Sequence, residues 1–279
     1  MIFMQRWVLF VLLCLSIGSV HAVTGPVTQV AFMNSQNIRL TAHLFQSTWS
    51  GPRQTMVMMH GCSGVYSLSD PVKGIAKLYL EWVDRLTRNG YHALLIDSFT
   101  PRGVAQNQCG NGSAGVSEVS DRPRDAEAGA QWLSQQAFVN PDALAILGWS
   151  HGASSVISTL SNTGEIKNRR FKTGIAFYPG CGLYNAFGGI STSTYVPYAP
   201  LINLLGDADP LYISGNCQIR VANAESLGSK GWMEMIVYPG AKHSFDNART
   251  IDSNWSIFDV NAKTAADAEA MRRFALLPQ

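Results

Sequence analysis

In the stretch GWSHG, residues 148–152, a serine stands between two glycines. The apolar run DALAILG leads into it, and ASSVISTL, with helical spacing, leads away. A strand turning directly into a helix at Ser150 would lift the hydroxyl clear of its own backbone. Glycines on both sides leave room for the close approach of the two elements. The N–H groups of the first helical turn, and the positive end of the helix dipole, suit a developing oxyanion. The chemistry implied is acyl transfer through a serine nucleophile. A serine that merely caps a helix would need neither glycine.

A serine hydroxyl is a weak nucleophile and needs a base, which in turn needs an orienting acid. The chain has six histidines. His21 falls in an N-terminal leader. His43 is expected on the exposed face of an alternating strand, and His92 at the surface where a strand opens. His60 ends a strand in MMHGCSG. His151 adjoins the serine, but its side chain projects in another direction, as a candidate pocket wall. His243, in YPGAKHSFD, lies on a loop after the last apolar run. Where the nucleophile sits at a strand-to-helix corner, the chain order is serine, acid, histidine. Only His243 comes late enough. The acid then belongs to PLINLLGDADP, where Asp207 and Asp209 both follow an apolar strand. Pro210 biases Asp209 towards an extended backbone. HGCSG, residues 60–64, offers the N–H of Cys62 as one oxyanion donor, and the N–H of His151 is the other. Trp149, beside the serine, is a candidate substrate contact.

These residues need a scaffold. VTQVAFM and IRLTAHLF alternate in polarity and are joined by NSQN, an antiparallel hairpin. After it come TMVMMHG, YHALLIDSF, DALAILGWS, TGIAFYPG, PLINLLG and MEMIVYPG, apolar nearly throughout. Such runs suit parallel strands buried on both faces. Helices are expected near 72–88, 124–136, 152–161, 218–227 and 262–276. The alternation implies an α/β fold with a doubly wound, mostly parallel sheet. Ligands in such folds bind beyond the carboxyl ends of the strands, where every candidate above lies.

The chain has 279 residues, 46% of them hydrophobic, and a formal net charge of +2 without a basic cluster. Nothing in it suggests nucleic acid or an anionic membrane surface as a partner. Residues 1–22 resemble a cleavable signal peptide: Arg6 precedes an apolar run from Trp7 to Leu15, and small residues follow, with Val20 and Ala22 before the cleavage point. The run is short of the roughly 20 apolar residues of a membrane span. Residues 23–279 then form a single secreted or periplasmic domain. Export leaves four cysteines, an even number suited to two disulfides. Cys62 and Cys109 follow neighbouring strands, and Cys181 and Cys217 flank the seventh expected strand, so the pairs Cys62–Cys109 and Cys181–Cys217 are expected. No Cys/His spacing suggests a metal, and the chemistry requires no cofactor.

With these residues placed, HGCSG, LLIDSFTPRG, ILGWSHGAS, AFYPG, LLGDADP and YPGAKHSFD together resemble the dienelactone hydrolase family of α/β-hydrolases, over about residues 53–250. The resemblance implies an α/β-hydrolase fold and points to Asp209 as the acid, through the family's spacing of glycine, two residues, aspartate. It points to His243 through the HSF motif. Founding members use a cysteine where this chain has Ser150, and bind a substrate carboxylate through two arginines. Arg102 matches the first of these, or is a structural arginine paired with Asp97. Asn247 stands at the second, with Arg249 two residues on.

The reading is a serine hydrolase of small-molecule carboxylic esters or lactones, with Ser150, His243 and Asp209 as its triad. A peptidase of the same fold is one rival, and a silent binding module on a hydrolase scaffold another. The stretch CGLYNAFGGISTSTYVPYAP, between two strand ends, is expected to overhang the pocket. No feature of the sequence specifies an oligomeric state.

Overall fold

A computed structural model describes residues 27–67, 70–109, 115–163, 168–187, 192–247 and 256–278. The expected leader lies outside the described residues, as does Arg249. The chain opens with the antiparallel pair β1 (Val27–Met33) and β2 (Arg39–Phe45). Next come β3 (Arg53–Met59), the small hairpin β4 (Tyr66–Ser67) and β5 (Asp70–Ile75), and α1 (Lys77–Arg88). Then follow β6 (His92–Asp97), α2 (Asp121–Leu133), β7 (Val139–Trp149), α3 (His151–Thr159) and β8 (Phe171–Phe177). The chain continues through β9 (Leu201–Gly206), the short α4 (Pro210–Ile213), α5 (Asn216–Ser226), β10 (Met233–Tyr238) and α6 (Ile257–Phe274). The main sheet has eight strands in the order β1-β2-β6-β3-β7-β8-β9-β10. From β6 to β10 all neighbours are parallel, and β2 joins β6 antiparallel.

The apolar runs are explained by two cores, one on each face of the sheet. Side chains alternate across a strand. Val57, Met59, Leu94, Ile96, Leu144 and Ile146 point into one core, shared with α2, α3 and α5. Met56, Met58, Ala93, Leu95, Ala145 and Leu147 point into the other, shared with α1 and α6. With both faces covered such a strand is apolar at nearly every position, and a buried polar side chain such as Asn203 in β9 takes a partner, here Glu234 O at 3.0 Å.

Four sequence expectations are corrected. The helix expected from Val72 begins at Lys77, because Tyr66 pairs with Ile75 and draws residues 70–75 into a strand. Helix α2 begins at Asp121 rather than Arg124: Pro123 sits in the first turn, where a missing N–H breaks no helical bond. Helix α6 begins at Ile257, five residues early, behind a reciprocal cap in which Ser256 and Asp259 satisfy each other's backbone N–H. His92 is buried, not at the surface. Its Nδ1 accepts from Ser47 N at 2.9 Å, so its Nε2–H donates to Phe138 O at 3.1 Å.

Candidate active site

Strand β7 passes into α3 through one residue, Ser150, at φ 51° and ψ −115°. That conformation is costly for a non-glycine residue and holds only where the surroundings enforce it. They do so on both sides. A Cβ at Gly148 would lie 2.4 Å from Gly152 O, and one at Gly152 would lie 2.1 Å from Met59 O. Only glycine fits at either position. Ser150 N donates to Phe177 O at 2.9 Å, which ties the corner to β8.

The loop after β10 carries His243. Its Nδ1 lies 2.8 Å from Asp209 Oδ2 and its Nε2 lies 3.0 Å from Ser150 Oγ. Nδ1–H therefore donates to the carboxylate, and Nε2 is left to accept the serine hydroxyl. Asp209 is wholly buried. Its backbone is extended (φ −81°, ψ 125°), as expected before Pro210, and its other oxygen accepts from Leu211 N at 2.8 Å. Asp207 is placed elsewhere: its Oδ1 accepts from Gly240 N at 2.6 Å. It fastens the turn after β9 to the turn after β10. Ala208 N donates to Ala241 O at 3.0 Å, and a Cβ at Gly206 would lie 2.1 Å from that same oxygen. These contacts bring the aspartate and histidine loops together.

The HGCSG loop lies against the corner. A Cβ at Gly61 would lie 3.3 Å from Trp149 O and 3.8 Å from Ser150 Cβ. Gly61 N donates to Tyr79 Oη at 2.9 Å, so the loop is held from α1. His60 is fully buried, with Nδ1–H donating to Gly61 O at 2.7 Å and Nε2 accepting from Ser98 N at 3.2 Å. Burial, aided by nearby Arg122, holds its pKa well below the usual histidine value, so it is neutral and shapes the loop. Cys62 borders the pocket and is bonded to Cys109. Cys181 is bonded to Cys217. Both pairings are those expected from the sequence. His151 is the first residue of α3, so its N–H is one of those a helix leaves without an internal acceptor.

The pocket above Ser150 and His243 has a volume of about 620 Å³. Tyr66, Leu78, Tyr79, Trp149 and Tyr178 are among the residues that border it, with Lys77 at one side. Lys77 is paired with Glu81 at 3.3 Å.

Three placements differ from expectation. The ring of His151 is not a pocket wall. Its Nδ1 accepts from Arg122 Nη1 at 2.7 Å, and its Nε2–H donates to Glu118 Oε2 at 2.6 Å. Burial lowers its pKa, and a neutral ring is what the arginine contact requires. Arg102 does not border the pocket either. It is structural, but its partner is Asp125, with both nitrogens at 2.8 Å, and not Asp97. Asp97 Oδ1 is taken by the N–H groups of Phe99 and Thr100. Lastly, among the described residues, nothing in the stretch 181–200 borders the pocket. Phe187 and Tyr195 fill the core on the opposite face of the sheet, beside the buried Arg220, which donates to Cys181 O and Ser193 Oγ. The β4–β5 hairpin and the start of α1 wall the pocket instead.

Trp149 touches the pocket, but its ring is 1% exposed, and its Nε1–H donates to Asp246 Oδ2 at 2.9 Å. Asp246 and Tyr178 did not emerge from the sequence. Tyr178 directly follows β8, at the carboxyl edge of the sheet, and that position was the available signal.

An eight-stranded, mostly parallel sheet with helices on both faces, and a serine at the corner after its central strand, defines an α/β-hydrolase. The sequence profile of the dienelactone hydrolase family matches residues 40–277, and the chain belongs to that family. It is therefore a carboxylic ester hydrolase by family. Solved structures agree on the fold. A Klebsiella pneumoniae subsp. pneumoniae protein provisionally assigned to the dienelactone hydrolases has a TM-score of 0.67 at 15% identity, covering 90% of this chain and 99% of its own. Esterase 2 of Thermogutta terrifontis, phosphorylated by paraoxon, has a TM-score of 0.62 at 17% identity, covering 92% and 97%. Dipeptidyl peptidase 4 of Porphyromonas gingivalis has a TM-score of 0.61 at 16% identity, over 89% of this chain but 35% of its own.

Proposed function

We propose that the protein is an exported serine esterase that hydrolyses neutral esters with an apolar acyl or alcohol part, through Ser150, His243 and Asp209. The observation that carries this is the hydrogen-bonded chain from Asp209 to His243 to Ser150, 2.8 and 3.0 Å, at the foot of the pocket. His243 Nε2 takes the hydroxyl proton as Ser150 Oγ attacks the ester carbon. The carbonyl oxygen becomes an oxyanion and accepts from the N–H groups of Cys62 and His151. Asp209 orients the ring and stabilises the imidazolium. The intermediate collapses, the C–O bond to the alcohol breaks, and the leaving alkoxide takes the proton from Nε2. Water, deprotonated by His243, then attacks the acyl-enzyme and frees the acid and Ser150.

The substrate class follows from the wall. Tyr66, Leu78, Tyr79, Trp149 and Tyr178 border it, and among the described residues no arginine does. Its lysine already has a carboxylate partner. A substrate carboxylate would find no fixed cation there, in contrast to the lactone acids of the founding members. Two disulfides, together with the leader-like residues 1–22, support export. The test is a panel of p-nitrophenyl esters of graded acyl length, each with and without a terminal carboxylate. Neutral esters should have the higher kcat/KM by at least about tenfold, the ordinary scale of one unmatched polar contact. Equal or better turnover of the carboxylated series would refute the substrate class.

A further inference from the structure

Asp246 is a buried carboxylate that the proposed mechanism does not use. It is 1% exposed and, among the described residues, forms no ion pair. Its two oxygens are taken separately: Tyr178 Oη–H donates to Oδ1 at 2.6 Å, and Trp149 Nε1–H donates to Oδ2 at 2.9 Å. These two donors belong to the site. Trp149 immediately precedes Ser150. The ring of Tyr178 meets that of His243 edge-on, with centroids 4.8 Å apart. Asp246 itself lies three residues after His243, on the same loop. One side chain thus joins the serine corner, the end of β8 and the histidine loop from beneath.

Burying a carboxylate without a cation is expensive, and a neutral residue of similar shape would fold at lower cost. The charged groups that face it from α6 are Asp267, which opposes the charge, and Lys263, which favours it. Burial outweighs the help from Lys263, Tyr178 and Trp149, and the pKa is raised to about 6. An apolar core has no use for such a group. Two diverging acceptors, however, are what two fixed donors require, and an amide offers only one.

We propose that Asp246 is a positioning residue: by accepting from Trp149 and Tyr178 at once, it holds the His243 ring in register with the Ser150 hydroxyl. The inference rests on the hydrolase reading above. Small misplacements of reacting groups cost rate more than affinity, about 100-fold for an ångström.

The test uses the full chain, with active sites counted by a fluorophosphonate probe. Asp246→Asn should lower kcat per labelled site by about 10- to 100-fold on a neutral p-nitrophenyl ester, with KM within about twofold. Its labelling rate should fall in proportion. Its Tm at pH 8 should stay close to that of the wild type, since removal of the buried charge offsets the donor that the amide leaves unpaired. A merely structural role would instead lower Tm and the number of labelled sites, and leave kcat per site unchanged. Tyr178→Phe keeps the ring, removes one donor, and should lower kcat by about 3- to 10-fold; combined with Asp246→Asn it should add little, since contacting residues of one network are not additive. A wild-type kcat per site in Asp246→Asn overturns the inference. If that variant does not fold, undiminished kcat in Tyr178→Phe does so. An inactive, unlabelled wild type would sink the hydrolase reading and this inference with it, whereas normal turnover in the variants beside an active wild type sinks this inference alone.

Discussion

Ser150 Oγ and His243 Nε2 lie 3.0 Å apart across 93 residues of chain. The serine is fixed by a corner only glycines can flank, and the histidine by a loop pinned through Asp207 and Ala208 to the turn after β9.

The two aspartates of GDADP should respond differently to the same substitution. Asp209→Asn leaves the shape but removes the charge that selects the tautomer and stabilises imidazolium. The equivalent change in a serine protease lowers kcat about 10⁴-fold, and a loss of that order is expected here. Asp207→Asn keeps an acceptor for Gly240 N, and its kcat should stay within about threefold of wild type, as for a surface change away from the chemistry. Kinetics of the two folded variants, side by side, decide it; a crippled Asp207→Asn with a healthy Asp209→Asn would reverse the assignment.

The two disulfides should separate into one that affects turnover and one that affects only stability. Each closes a loop of several tens of residues and should contribute roughly 3–4 kcal/mol by chain entropy. Cys62 is a proposed oxyanion donor, and the carbonyls of Cys62 and Ser63 accept from the N–H groups of Gln108 and Asn107. Replacing Cys62 and Cys109 by alanine should lower both Tm and kcat. Replacing Cys181 and Cys217 should lower Tm alone, because that bridge lies in the opposite core. Loss of kcat in the second pair and not the first would contradict this.

Stability should carry a signature of Asp246. Its pKa is raised from 3.8 to about 6 in the folded protein, mainly by burial. Between those values the native state holds more protons than the unfolded one, so stability falls as pH rises from about 4 to 6. Above about 6 the full penalty is present, of order 2–4 kcal/mol by linkage. The difference in unfolding free energy between wild type and Asp246→Asn, measured by urea titration from pH 4 to 8, should follow that curve. A difference that does not change with pH would refute it.

Much of this was legible in the sequence, and the exceptions share a cause. TMVMM and ALAILGW read as buried parallel strands because both their faces are covered. The serine corner was legible because steric demand is local: Gly148 and Gly152 are two residues away. The family spacing pointed to Asp209 for the same reason. The failures were decided at a distance. Residues 70–75 become a strand only by pairing with Tyr66 and Ser67. Arg102 bypasses Asp97, the nearer carboxylate in sequence, and pairs with Asp125, 23 residues on, which no local spacing signals. The aromatics of 181–200 read as a pocket wall, yet Phe187 and Tyr195 are core residues under the buried Arg220. Asp246 carried no signal in the sequence, because its partners lie 68 and 97 residues away.

If Ser150 is the nucleophile, mass-resolved labelling of the purified chain with a fluorophosphonate, wild type beside Ser150→Ala, shows it. One adduct, on Ser150, is expected in the wild type. None is expected in the variant, whose Tm should be close to that of the wild type because alanine keeps the same Cβ and backbone conformation, and whose ester turnover should fall by about 10⁴-fold or more. A folded Ser150→Ala protein that still labels, or that hydrolyses esters at near wild-type rate, would contradict it.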